Sequence, residues 1–154
     1  WTVCSYIVAD ANGKSDDSGE TVPGTRGLEA AAARVLENLA ELEPELIAAG
    51  IFDSKRNPVA TTSGSSAWAT ESSALLEALE DGSGEEKFDS AHIAGTEGEV
   101  FAVSESGLSL VAVTGRFVLA SLTAYDMRMA LRDAIRSNGV NPASEAENGG
   151  SSDA

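Results

Sequence analysis

The sequence predicts an α+β sandwich, a sheet covered by helices on both faces, with its elements in the order α-β-β-α-β-β-β-α. Three observations predict it. Apolar residues recur at helical spacing in three separate stretches. Five short runs between those stretches have strand character, and tight turns separate the last three. One run, Leu108–Thr114, reads Leu-Ser-Leu-Val-Ala-Val-Thr and is apolar on both faces, so it belongs at the centre of a sheet with helices above and below.

The first helix rests on Leu28, Ala32, Val35, Leu39 and Leu42, spaced four, three, four and three apart on one face, with Glu37 and Glu41 on the wet side. Pro44 disfavours helical geometry at Glu43 and ends it. Leu46–Phe52 follows as a strand with apolar residues pointing both ways, then a turn at Asp53-Ser54-Lys55-Arg56-Asn57. Val59–Ser63 is a weaker, Thr-rich strand, with Pro58 at its start, where a missing N–H does least harm. Ser65 or Ser66 caps the second helix. Its core stripe is Trp68, Ser72, Leu75, Leu76 and Leu79, and Gly82 and Gly84 end it. Three strands come next, Asp89–Ala94, Glu99–Glu105 and Leu108–Thr114, joined by Thr96-Glu97-Gly98 and Ser106-Gly107. Arg116–Leu119 reads either as a sixth strand or as the approach to the last helix, Ala120–Arg136. That helix carries Ala124, Met127, Leu131 and Ala134 on one stripe, widened by Tyr125 and Met129.

The ends read differently. Residues 1–26 hold a short strand candidate, Ser5–Asp10, and a polar linker, Ser15–Thr25. Asn138-Gly139 stops the last helix, Pro142 prevents its restart, and residues 138–154 have no apolar period, which predicts a disordered tail. The domain is therefore expected over residues 27–137.

The 154 residues are 42% hydrophobic, enough for one real core, and carry a formal net charge of −15. Such a surface repels phosphate backbones and anionic lipid, which argues against nucleic-acid binding and membrane insertion. Val3–Ala9 is too short to span a bilayer and lacks the basic flank of a signal peptide. The single cysteine, Cys4, closes no intramolecular disulfide. Together these predict a cytoplasmic protein.

Several stretches resemble the Roadblock/LC7 family. Leu28–Leu42 followed by Ile47-Ala48-Ala49-Gly50-Ile51-Phe52-Asp53 is similar to its first helix and its first strand ending in Asp. Glu99-Val100-Phe101-Ala102-Val103-Ser104 through Leu110-Val111-Ala112-Val113 looks like its paired late strands. Leu122-Thr123-Ala124-Tyr125-Asp126-Met127-Arg128 through Leu131-Arg132-Asp133 looks like the closing helix of its bacterial members. The polar Thr61-Thr62-Ser63-Gly64 departs from the family's usual second strand. The resemblance implies a profilin-like Roadblock sandwich, with one antiparallel five-stranded sheet, two helices on one face and the middle helix on the other. It also implies a non-enzymatic homodimer that binds a small Ras-like GTPase and modulates its nucleotide cycle or scaffolds it. The dimer would be built through the middle helix and the neighbouring strand, which places Trp68, Leu75, Leu76, Leu79, His92 and Ile93 at its interface. Elementary physics points the same way: Asp89–Ala94 has no Pro or Lys to block pairing at an open sheet edge, and Ile93 is apolar. The alternative is a small-ligand sensor domain, which needs an enclosed pocket with a few convergent polar groups.

No constellation for catalysis, cofactor or metal emerges. Gly13-Lys14-Ser15 has Val8 where a phosphate loop needs its first glycine, and Asp16 and Asp17 where a helix should begin, so it reads as a plain turn. His92, the only histidine, has no nucleophile in a suitable context and reads as a strand histidine, although its charge at a paired edge would make dimer affinity pH-dependent. Glu80, Asp81, Glu85 and Glu86 lack the spacing of a Ca²⁺ loop and read as a solvated turn. Arg128, Arg132 and Arg136 recur every four residues and form a ridge on the last helix. That ridge is either a docking surface for an acidic partner or a set of cations serving the helix dipole and local pairs such as Asp133–Arg136.

Overall fold

The computed structural model describes residues 23–139. The strand expected at Ser5–Asp10, the turn at Gly13-Lys14-Ser15, Cys4 and residues 140–154 lie outside the described residues. The elements are α1 (Pro23–Leu42), β1 (Leu46–Phe52), β2 (Pro58–Thr61), α2 (Ser66–Ser83), β3 (Ser90–Ala94), β4 (Glu99–Glu105), β5 (Leu108–Thr114) and α3 (Ala120–Gly139). The sheet order is β2-β1-β5-β4-β3, and every neighbouring pair is antiparallel.

Several boundaries differ from the sequence reading: β2 runs Pro58–Thr61 rather than Val59–Ser63, β3 starts at Ser90 rather than Asp89, and α2 keeps Gly82. Helix α1 opens at Pro23, inside the stretch read as linker, because proline at a first helical turn lacks only an N–H that has no intrahelical acceptor there. Helix α3 keeps Asn138 and Gly139, which the sequence reading assigns to the tail. Arg116–Leu119 adds no sixth strand. The segment is irregular, and Phe117 sits at φ 67°, outside any strand geometry.

Local chemistry sets the turns. Asp53 caps the β1–β2 turn, its Oδ1 accepting the N–H groups of Lys55 and Asn57 at 2.8 and 2.9 Å. Ser106 and Gly107 both have positive φ, 52° and 82°, as the two-residue turn whose twist matches a β-hairpin requires. Ser65 is the N-cap of α2, and its side chain accepts the Trp68 N–H.

Strand alternation divides the core into two layers. On one face Ala32, Val35, Leu36 and Leu39 of α1, with Met127, Leu131 and Ala134 of α3, bury Ala49, Ile51, Phe101, Val103, Leu110 and Ala112. On the other, Leu76 of α2 meets Phe52, Ala102 and Val111, with Trp68, Leu75 and Leu79 half-buried around them. Each fully buried large side chain contributes about 1.5–3 kcal/mol. The core stripes stop short in two places. Leu42 is exposed because α1 ends there, and Tyr125 points outward from α3.

Candidate protein-binding site

Strand β3 is an open edge. It pairs with β4 alone, in the register Ser90↔Val103 to Ala94↔Glu99. The Ser104 N–H donates to Asp89 O, and the Gly95 N–H donates to Gly98 O. Antiparallel alternation therefore turns the backbone N–H and C=O of Ser90, His92 and Ala94 away from the sheet. These groups would pair with a sixth strand.

The pleat sends the two side chains named for this edge to opposite faces. His92 lies on the α1/α3 face, opposite Phe101 in a non-hydrogen-bonded pair, where cross-strand side chains come closest. Its ring stacks on Phe101 with centroids 4.4 Å apart and planes 7° apart. Its Nε2 lies 2.5 Å from Glu99 Oε2. Ile93 lies on the α2 face, where it is exposed.

Ile93 ends an apolar row. Cross-strand register aligns Ala48, Val113, Val100 and Ile93 across four strands. A β-bulge between Leu46 and Ala48 brings Ile47 onto the same face, and its side chain is 67% exposed. Helix α2 leaves this row only partly covered. The result is an open cleft of about 310 Å³ between the row and Trp68, Ser72 and Leu75.

Four of the named residues lie on α2. Trp68, Leu75 and Leu79 are half-buried along the lip of the covered face. Leu76 is fully buried, so it supports the face from inside rather than presenting surface. Trp68 settles against β1 because residue 50 is glycine: a Cβ there would fall 2.8 Å from the indole. The ring also packs at a tilt on Phe52, centroids 6.3 Å apart.

The arginine ridge is largely engaged in local pairs. Arg128 bonds Asp89 and the Ser90 hydroxyl, and Arg132 Nε donates to both Glu105 oxygens at 3.1 and 3.0 Å. Arg136 stands 3.7 Å from Asp133 within the helix. Two of the three cations therefore fasten α3 to the β3–β4 side of the sheet.

The sequence reading missed Ile47, Val100 and Val113 as surface, because a bulge and the length of α2 decide their exposure. It also missed Glu99, whose two oxygens serve His92 and the Phe117 N–H. Among the described residues no group of three or more His, Cys, Asp or Glu converges as metal ligands would. No helix among them is long and apolar enough to cross a membrane. The two larger concavities, about 670 and 650 Å³, are open grooves. One is lined mainly by hydroxyls and small residues beside β2, and the other by carboxylates and serines around the α2–β3 connection.

Three helices around a five-stranded antiparallel sheet, with one open edge beside a half-covered apolar face, define a class of α+β sandwich. Solved structures place it more narrowly, in the Roadblock/LC7 fold. A Roadblock/LC7 domain from Streptomyces avermitilis matches with a TM-score of 0.62 at 14% identity, covering 70% of this chain and 98% of that one. The gliding protein MglB from Thermus thermophilus gives 0.57 at 18% identity, covering 73% and 91%. An MglB structure with a tetrameric arrangement gives 0.61 at 16%, covering 73% and 90%. No family model and no curated protein matches the sequence.

Proposed function

We propose that this chain is a non-enzymatic homodimeric module that binds a small Ras-like GTPase and regulates or scaffolds it. The observation that carries the reading is the junction of the unpaired β3 edge with the partly covered row Ile47, Val113, Val100 and Ile93. A twofold axis beside β3 would pair the two edges and set each half-covered face next to the other's α2. A dimer built this way offers a rigid composite surface to a third protein. Nucleotide chemistry belongs to the GTPase, and the role of this chain is recognition. The GTPase is taken from the family likeness, which is a likeness of fold. The open shape of the grooves favours a protein partner over an enclosed small ligand.

Light scattering of the full chain at micromolar concentration tests the dimer, and a species of monomer mass alone rules it out. Titration against bacterial Ras-like GTPases, loaded with GDP or a GTP analogue, tests the partner. The expected result is binding that depends on the nucleotide. Absent binding in both states, with the dimer intact, removes the GTPase reading and leaves the dimer standing, whereas equal binding in both leaves scaffolding without regulation.

A further inference from the structure

A second apolar surface lies on the α1/α3 side of the sheet, the face opposite α2 and Ile93. It comprises Leu42 at the end of α1, Phe117 in the β5–α3 loop, and Leu119, Leu122 and Tyr125 leading into α3, all exposed. Gly27 of α1 lies beside Asn138 of α3, so the two helices run antiparallel and the end of α1 meets the start of α3. Leu119, Leu122 and Tyr125 advance by threes, off the buried stripe of Thr123, Met127, Leu131 and Ala134. Large exposed apolar side chains brought to one end of a fold are a mark of interaction sites.

The patch is organised. Phe117 is 85% exposed, yet its backbone is held in the left-handed region, which bulky residues rarely adopt. Its N–H donates to Glu99 Oε1 at 3.1 Å, and the Arg116 guanidinium stands 4.7 Å over its ring. The loop thus presents the ring to solvent from a fixed base.

Carboxylates surround it. Glu41 precedes Leu42, Asp126 follows Tyr125, Glu45 lies against Gly115, and Glu97 sits in the β3–β4 turn whose Gly98 abuts Thr114. None of these four acids forms an ion pair among the described residues, and Arg116, the nearby cation, is engaged with Phe117. We propose that this end of the sandwich is a docking site for a basic amphipathic helix of a partner protein, leucine-like side chains on the ridge and Lys or Arg against the acidic rim. Charge complementarity selects that occupant. A second copy would set carboxylates against carboxylates, and an anionic membrane is repelled by the same rim. The site faces away from Ile93 and α2, although Glu99 ties its loop to His92 of β3, and it stands whether or not the dimer and GTPase readings do.

The test uses the full chain and a fluorescein-labelled synthetic Leu/Lys peptide of about 18 residues, five helical turns with one apolar stripe. A scrambled peptide of the same composition is the control, and anisotropy is read at physiological salt. The expected result is binding at least about tenfold tighter than the scramble, with a loss of about tenfold in the double variant Leu119→Asp/Leu122→Asp at an unchanged melting temperature. Ile93→Asp should leave peptide binding intact. Phe117→Ser, in a loop, is the second variant should the double one fold poorly, and it should also weaken binding. Equal binding of the scramble, or unchanged binding by the folded variants, overturns the proposal. Loss of self-association in Leu119→Asp/Leu122→Asp assigns the patch to a second copy and overturns it equally.

Discussion

Glu99 joins His92 to Phe117: one carboxylate oxygen lies 2.5 Å from the histidine Nε2 and the other accepts the Phe117 N–H at 3.1 Å. A single side chain, 13% exposed, thereby links the edge strand to the loop that enters α3. Partial burial limits competition from water, while the partners themselves are exposed, so the link is modest. Glu99→Ala is expected to cost about 1 kcal/mol in urea unfolding, with a coupling of about 0.5 kcal/mol to His92→Ala in a double-mutant cycle. A cycle that closes at zero would show that the histidine contact adds nothing.

Leu76 and Ile93 separate stability from assembly. Leu76 is fully buried between Phe52, Ala102 and Val111, so Leu76→Ala should cost about 2–4 kcal/mol and lower the melting temperature whatever the oligomeric state. Ile93 is exposed on an edge strand, and Ile93→Asp should change protomer stability by less than about 0.5 kcal/mol. Under the proposed dimer the same substitution places a charge in the interface, and sedimentation should show monomer. An Ile93→Asp protein that still sediments as a dimer would move the interface elsewhere.

The element order was legible because each layer leaves a period in the chain. Leu108–Thr114 is apolar on both faces because helices cover both, and β5 sits at the centre of the sheet. Leu131 and Ala134 fall on the helical stripe that the α1/α3 core needs. Surface features were less legible, since they depend on where an element stops. Leu42 continues the α1 stripe but lies past the cover. Ile47 is turned outward by a bulge that no local residue announces. The opposite orientations of His92 and Ile93 were implied by alternation alone, yet grouping them by proximity along the edge hid it. Phe117 has the composition of a strand residue, and its backbone is set by a hydrogen bond to Glu99 from eighteen residues away.

Gly50 provides a sharper packing test. A Cβ at this position would lie 2.8 and 3.0 Å from two indole carbons of Trp68 and 3.1 Å from Thr61 Cγ2. Both neighbours belong to packed elements, so neither yields freely. Gly50→Ala should destabilise by about 1–3 kcal/mol and shift the Trp68 emission to the red as the ring is pushed toward water. A Trp1→Phe background isolates the signal, because the chain has two tryptophans. Since Trp68 also lines the cleft under the proposed interface, weaker self-association is expected alongside. A neutral Gly50→Ala would mean that α2 rides loosely enough on β1 to absorb a methyl group.

The arginine ridge poses the opposite question, whether visible charge carries recognition. Arg132 holds both oxygens of Glu105, and Arg128 holds Asp89 and Ser90. Each pair is partly exposed, so water and salt screen it, and it contributes less than about 1 kcal/mol. Arg132→Glu sets two carboxylates together and should lower stability by about 1 kcal/mol, with Glu105→Arg in the same chain restoring most of it. Partner binding should stay within about twofold in Arg132→Glu, because the cation is already engaged with its own sheet and has little left to offer a second protein. Loss of GTPase binding in Arg132→Glu that the charge-swapped double variant fails to restore would make the ridge a docking surface. Restoration would mean that the pair acts by holding α3 in place.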